Sequence, residues 1–385
     1  MLWRLMHKNI SVADVNIDDT GNISKIIEVH DYTHAPYISI KNEQLDIEAL
    51  KAWWNNRVIP DNRDGLKNIV EMFGHISVKT LLKSNYALSL SDQYWIQPER
   101  ENIRWSDVNF FDNEFSPDIG NLLFGKLPDA TNNQINFMSP DITTEGVLKK
   151  KWKIIGHGRY LLKVPGWWNL QTILNEILAT AICNRIGIDH VPYNIFMEKE
   201  QIACICPNFI TNSTELIGAW QIRNASKRSN SISEYEHYVT ELEKLGIKDA
   251  RLKIGMMLSL DYIIANNDRH FNNFGVIRNA ETLEWLNVAP IFDCGNSLCS
   301  NITYITENTL NQSKPFRTKH PEQIKFVEDF SWLDFKKLDG IEDYFARLLS
   351  YINDSFISDT KKKQICRVLR NRINDLEAYV TALPK

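Results

Sequence analysis

The chain has little of what marks a secreted, membrane-spanning or nucleic-acid-coating protein. Its six cysteines (Cys183, Cys204, Cys206, Cys294, Cys299, Cys366) are scattered through 385 residues, far below the density of a disulfide scaffold. Cys204 and Cys206 alternate within an expected strand and read as small core residues. With no second pair at ligand spacing, a zinc site is disfavoured. Met1 to Val12 carries Arg4, His7 and Lys8 without a lasting apolar stretch, so no secretory signal is expected. The most apolar stretch, about Leu252 to Ala265, contains Lys253 and Asp261 and is too short to span a bilayer. Net charge is −4 and the pI is near 6.2, so there is no general attraction for nucleic acid, and any DNA contact is expected to be local or through a partner. Internal repeats and long low-complexity tracts are also missing. These absences leave a cytoplasmic globular chain, with a length prior of about two to three domains.

What is present is one dense polar run, Asn266-Asn267-Asp268-Arg269-His270-Phe271-Asn272-Asn273-Phe274, followed after a short ribbon by Ile291-Phe292-Asp293-Cys294-Gly295. Phosphoryl transfer from ATP needs a carboxylate facing the acceptor hydroxyl, and an amide and a second carboxylate that hold magnesium. Asp268, as catalytic base, and Asn273 and Asp293, as metal ligands, offer all three. The spacing suits this use. Asp268 and Asn273 stand five positions apart on one loop, and strands over 274–277 and 284–291, around a turn at 279–282, would return Asp293 beside it. Each of these residue types also serves in ordinary turns. The ordered set, at the end of an apolar helix, is what favours the functional reading. Arg269 and His270 are expected to brace the loop, His270 by bonding backbone or the metal-binding carboxylate.

The rest of the chain supplies a setting. Residues 1–130 read as mixed and largely helical, with Leu50, Trp53, Trp54 and Val58 on one amphipathic helix, a second from Leu66 that Gly74 would end, and a third capped by Ser77. The aromatic run from Tyr94 to Phe115 is expected to be buried core. From Ser139 the pattern turns to short strands: Lys151 to Ile155 and Arg159 to Val164 around Gly156-His157-Gly158, then Pro192 to Met197 and Gln201 to Cys206. Between the pairs, Asn169 would cap a helix running to Ile186, with Ile173, Ile177, Leu178, Ala181 and Ile182 inward and Gly187 closing it. The expected architecture is α+β and bilobal. Residues 131–209 form a small β-rich N-lobe with phosphate loop and hinge, and 210–385 form a helical C-lobe, after the N-terminal region.

Lys163, on a strand with apolar neighbours, would point into the interlobe cleft and neutralise phosphate charge. Glu176, thirteen positions on, could pair with it. Thr143, Thr144 and Gly146 lie on the candidate phosphate-covering loop, which has a single glycine and matches no Gly-rich or Walker pattern. Lys149-Lys150-Lys151 reads either as positive potential near phosphate or as a solvated run.

Asp268-Arg269-His270-Phe271-Asn272-Asn273 with Phe292-Asp293-Cys294-Gly295 resembles the catalytic and metal loops of phosphoinositide-kinase-like enzymes. It more closely resembles HipA-like serine/threonine kinases, to which Leu162-Lys163-Val164-Pro165, Asn175-Glu176 and Ile188 to Pro192 are also similar. The resemblance covers residues 139–300 and implies a protein kinase using ATP and Mg2+, with Cys206, Pro207, Asn208 and Phe209 as the hinge beside adenine. It also implies a Ser/Thr protein substrate and a toxin role held in check by a DNA-binding antitoxin. The family's self-silencing serine loop has no clear counterpart here, where Ser139, Thr143 and Thr144 are the available hydroxyls. Two other readings stay open: a kinase of a lipid headgroup or small molecule, and a nucleotide-binding regulatory module with vestigial chemistry.

Overall fold

The N-terminal residues form an antiparallel meander, β1 (Leu2–His7), β2 (Ile10–Ile17) and β3 (Ile23–Val29), and β6 (Tyr94–Pro98) joins the free edge of β1 to give the order β3-β2-β1-β6. A two-rung ladder of β4 (Ile40–Lys41) and β5 (Gln44–Leu45) leads into helix α1 (Ile47–Asn56). The computed structural model describes residues 1–72, 77–125, 135–165, 170–198, 201–302, 305–353 and 357–384. Three sequence expectations lie outside these residues: the end of the second helix at Gly74, the cap at Asn169 and the boundary at 130/131.

Helix α1 begins where the Asp46 carboxylate accepts the Ala49 N–H at 2.7 Å, and it buries Leu50, Trp53 and Trp54 against Val12, Val15 and Ile17 of the sheet. Helices α2 (Leu66–Met72), α3 (Val78–Ser84), α4 (Trp105–Val108) and α5 (Asp118–Leu123) complete the region, with Ser77 capping α3. The region is mixed, as expected. The helical emphasis left out the four-stranded sheet on which these helices pack. Tyr94, Trp95, Trp105, Phe110 and Phe111 are buried. Trp95, Trp105 and Phe110 share a core with Trp152 and Ile210, which joins the N-terminal region to the rest of the molecule.

The second sheet has the order β7-β8-β10-β9, from β7 (Lys150–Ile155), β8 (Gly158–Lys163), β9 (Asn194–Glu198) and β10 (Gln201–Pro207). A two-residue turn, Gly156-His157, joins the first pair, and Gly156 has φ +59°, a conformation that costs glycine nothing. Helix α6 (Leu170–Ile186) crosses this sheet with Ile173, Ile177, Leu178 and Ile182 buried and ends at Gly187. All four strands and the helix fall where the sequence pattern predicts them. Cys204 and Cys206 are buried free thiols.

Beyond Pro207, β11 (Thr214–Gly218) leads to helices α7 (Ala219–Ala225), α8 (Glu234–Lys244) and α9 (Ala250–Ile263). The ribbon β12 (Gly275–Asn279) and β13 (Trp285–Val288) follows, with β11 as a third strand on its open edge. That third strand falls in a stretch read as helical. Gly275 permits the pairing, since a Cβ there would stand 2.4 Å from the Ile217 carbonyl oxygen. The remaining helices are α10 (Glu307–Leu310), α11 (His320–Gln323), α12 (Ile341–Leu349) and α13 (Asp359–Thr381). Among the described residues no helix is long and apolar enough to cross a membrane.

A buried polar network fixes the N-terminal sheet on the ribbon. Glu215 Oε1 accepts the Arg278 guanidinium at 2.7 and 2.6 Å, Glu215 Oε2 lies 3.1 Å from His7 Nε2, and Arg278 donates to the Tyr94 hydroxyl at 3.0 Å. Burial alone would raise the Glu215 carboxyl, but Arg278 and His7 outweigh it and hold it at about 2. A depressed carboxyl stabilises the fold above its ordinary range, and the contribution is lost as pH falls toward 2. Replacing Arg278 by Met leaves a buried carboxylate without its main partner. The expected loss is about 3–5 kcal/mol in urea unfolding at neutral pH, and a loss within experimental error would contradict this role for the network.

Candidate active site

The last turn of helix α9 carries Asp261, a fully buried carboxylate, and the polar run folds around it. Asp261 Oδ1 accepts Asn266 Nδ2 at 2.8 Å, and its two oxygens accept Arg269 Nη2 and Nε, each at 3.0 Å. Arg269 has no solvent exposure and spends its other donors on the Asn273 carbonyl at 2.8 Å, the Phe292 carbonyl and Cys294 Sγ at 3.1 Å. One guanidinium thus binds the loop of Asp268 and Asn273 to the strand end that carries Asp293. Burial would depress it, but Asp261 holds it well above the usual arginine range. Arg269 is a brace, as its position in the motif predicts.

Lys163 forms the second node. It pairs across the sheet with Lys150 on one side and Cys204 on the other, and its side chain is 3% exposed. Its ammonium contacts Glu176 Oε1 at 2.7 Å, Asp293 Oδ1 at 2.7 Å and the Tyr193 hydroxyl at 3.2 Å, which engages all three donors. Burial pulls the ammonium down, and Asp293 and Glu176 together hold it well above its ordinary value. Asp293 would be raised by burial, yet Lys163 and Lys150 keep it below the usual carboxylate range. Its backbone sits at φ +58°, a left-handed conformation that non-glycine residues rarely adopt and that concentrates at functional sites.

Helix α6 holds the segment from Asp293 to Ser297 from the other side. Glu176 Oε2 accepts the Cys294 N–H at 2.8 Å, while Asn175 Nδ2 donates to the carbonyls of Gly295 and Ser297 at 2.9 and 2.7 Å. The close fit needs Gly295, where a Cβ would stand 3.0 Å from the Thr172 carbonyl oxygen. The Ile188 to Pro192 segment also reaches this loop: Val191 N–H donates to the Ile291 carbonyl, and Ile291 N–H to the Asp189 carbonyl.

Asp268 is about one-third exposed, with Oδ2 accepting Asn296 Nδ2 and Oδ1 accepting Lys314 Nζ, both at 2.9 Å. Asn273 is buried, and its Nδ2 donates to the Asp268 carbonyl at 2.9 Å, which keeps the amide oxygen for another partner. His270 is exposed, and its Nδ1 accepts the Asn272 N–H at 3.3 Å, a backbone contact within the loop.

The candidate phosphate loop divides. Thr143 ends the turn Pro140–Thr143 and Thr144 follows it, both buried, with Thr143 donating to the Leu88 carbonyl at 2.8 Å and Thr144 to the Pro140 carbonyl at 2.8 Å. Ser139 is fully buried and donates to Asp141 Oδ2 at 3.0 Å. These three hydroxyls face the protein interior and are not brought to Lys163. Gly146 does reach the cluster: its φ is +92°, and a Cβ would stand 2.4 Å from Lys150 Nζ. Lys150 is 6% exposed and Lys151 is 5% exposed, so their run is not a solvated one. Lys151 turns to the opposite face and binds Glu198 at 2.8 Å. Lys150 shares the face of Lys163 as its cross-strand partner, and the expected strand, begun at Lys151, started one residue too late to place it. Of the residues expected at the hinge, Cys206 and Pro207 end β10, Asn208 donates its backbone N–H to the Arg159 carbonyl at 2.7 Å, and the Phe209 ring packs 5.5 Å from that of Phe292.

The class defined by this arrangement is a bilobal α+β kinase fold. More narrowly, the fold is HipA-like: the HipA chain from the Shewanella oneidensis MR-1 complex of HipA, HipB and operator DNA overlays with TM-score 0.56 at 11% identity, covering 97% of each chain. That coverage includes the N-terminal region. A curated relative, the serine/threonine-protein kinase CtkA of Helicobacter pylori, is 25% identical over 130 residues, which is 32% of this chain and 40% of that protein. The match therefore spans less than half the length of that relative. A crystal structure of a Helicobacter pylori proinflammatory kinase CtkA covers 59% of this chain and 95% of that one at 17% identity and TM-score 0.41. No family model matches the chain.

Burial lowers Lys150 to about 8, with Asp293 opposing. Its charge is therefore present at pH 7 and is lost as pH rises through that value. If the cleft binds polyphosphate with Lys150 charged, affinity for inorganic triphosphate with magnesium should fall about tenfold between roughly pH 7 and 9. Isothermal titration across that range checks it, and Lys150→Met should flatten the dependence.

Proposed function

We propose that this chain is an ATP- and magnesium-dependent kinase that transfers the γ-phosphate to a serine or threonine hydroxyl of a protein. The observation that carries the reading is the delivery of Asp293 onto the Lys163–Glu176 pair by the same arginine-braced core that presents Asp268 and Asn273. The donor set suits magnesium: an ionised carboxylate and an amide oxygen are hard oxygen ligands, and few protein ligands suffice when substrate phosphates and water complete the shell. Bound magnesium would neutralise charge on the β- and γ-phosphates.

The residues of the chain divide the remaining work. Lys163, kept in its rotamer by Glu176, would release Asp293 and take a non-transferred phosphate. Lys150, on the same face, would add charge under the loop at Gly146. The hinge from Cys206 to Phe209 would meet adenine. Asp268 would orient the acceptor hydroxyl and take its proton, in a loop that Arg269 holds still. On this reading residues 131–209 cover the nucleotide and 210–385 carry transfer, after the N-terminal region 1–130. The CtkA relative, named a serine/threonine-protein kinase, supports a protein hydroxyl as acceptor. The HipA neighbour, solved with HipB and operator DNA, supports a DNA-binding antitoxin as partner and a toxin role. The intact set Lys163, Glu176, Asp268, Asn273 and Asp293 disfavours vestigial chemistry.

Asp268→Asn should lower transfer from γ-labelled ATP to lysate protein by about 10²–10⁴-fold and leave Mg-ATP binding unchanged. Asp293→Asn should weaken Mg-ATP binding itself. Unaltered turnover in Asp268→Asn would sink the assignment.

A further inference from the structure

The contact between Lys314 and Asp268 has no part in the division of work proposed for the cleft. Lys314 lies 46 positions along the chain from Asp268, in the segment between α10 and α11, and its ammonium reaches Asp268 Oδ1 at 2.9 Å. An exposed ion pair of this kind contributes little stability, about 0–1 kcal/mol. The segment that presents it is nevertheless firmly built. Gln323, 1% exposed, accepts the N–H groups of Phe316 and Arg317 at 3.0 and 3.1 Å and donates to the Lys314 carbonyl at 2.8 Å. Ser313 closes the turn through its N–H to the Thr318 carbonyl and its hydroxyl to the Arg317 carbonyl, at 3.0 and 2.8 Å. Phe316 is buried among Tyr235, Phe271 and Phe274. Phe271 and Phe274 belong to the polar run itself, so the lysine segment and the loop of Asp268 share one aromatic core.

The consequence is a positioned cation beside the base, on a different segment from Lys163 and Lys150. The Lys314 side chain is 50% exposed, so donors beyond the one on Asp268 remain open to an incoming anion. Asn296 holds the other carboxylate oxygen, and the two donors together set the orientation of Asp268. We infer that Lys314 is a second catalytic residue, which contacts the transferring phosphoryl group while holding Asp268 toward the acceptor hydroxyl. The inference rests on the kinase reading. In the transfer, the acceptor O–H bond breaks and its proton passes to the Asp268 carboxylate as the new O–P bond forms. The bond from the γ-phosphorus to the bridging oxygen breaks, and its electron pair leaves on the diphosphate. Lys314 exchanges no proton. It supplies positive charge where the equatorial phosphoryl oxygens gather negative charge.

The test compares the full chain with its Lys314→Met and Lys314→Arg variants, using γ-labelled ATP and magnesium and counting label delivered to water and to lysate protein together. Lys314→Met should lower kcat about 10²-fold, the loss typical of one preorganised charge-stabilising donor, with KM for ATP and the melting temperature unchanged. Lys314→Arg should restore much of that loss, because a cation of similar reach remains. A Lys314→Met kcat within about threefold of the parent, a change of well under 1 kcal/mol in the barrier, or a kcat above the parent, would overturn the role. A parent chain that delivers no label would overturn the kinase reading and this role with it. An active parent with an unaffected Lys314→Met variant would overturn only the role of Lys314.

Discussion

The structure turns on one buried ammonium held between two carboxylates. Lys163 is almost without solvent, and an unpaired charge there would cost several kcal/mol, so without another anion beside it the ammonium keeps both Glu176 and Asp293. Those three residues come from a strand of the small sheet, from the helix that crosses it and from the segment leaving the ribbon. Their pairing therefore joins both lobes at one point. The same contacts leave one carboxylate, Asp293, partly open to solvent, while Glu176 is enclosed and also tied to the Cys294 N–H. The asymmetry suits the proposed division of work, in which Glu176 keeps the lysine in place and Asp293 is given up to another cation.

Arg269 does for the transfer loop what Lys163 does for the cleft. Its guanidinium links Asp261, Asn273, Phe292 and Cys294, so the two ends of the ribbon cannot move apart without exposing a buried charge. Asp268 and Asn273 inherit a fixed geometry from that link. Rigid support of this kind is what phosphoryl transfer requires, since the protein contributes positioning and charge rather than covalent chemistry. Around this centre the chain adds a sheet at its N-terminus, joined to the ribbon by the Glu215–Arg278 network and to the small sheet through Trp95 and Trp152.

Much of the small sheet, α6, the ribbon and the polar run could be read from the sequence, because each carries a local signal: alternation, a helical apolar stripe, a two-residue turn, an Asp-Arg-His-x-x-Asn string. What could not be read depends on distant partners. Strand β6 joins β1 from some ninety residues on, and β11 is completed only by a ribbon some sixty residues later. Thr143 and Thr144 have the right chemistry for a phosphate loop, but the Leu88 carbonyl and the Pro140 turn draw their hydroxyls inward. Lys150 was hidden in a run of three lysines whose alternation sends one to the cleft and the next to Glu198. Asn296 and Lys314 reach Asp268 from segments that no spacing rule connects to it.

On the proposed kinase function, Lys163 and Asp293 separate when nucleotide enters between them. A crystal structure with magnesium and a non-hydrolysable ATP analogue tests it most directly. Lys163 Nζ should stay on Glu176 and move onto a phosphate oxygen, with Asp293 and Asn273 oxygens on magnesium at about 2.0–2.1 Å. A nucleotide bound elsewhere, or one bound in the cleft with the Lys163–Asp293 contact intact and the metal on other residues, would contradict it.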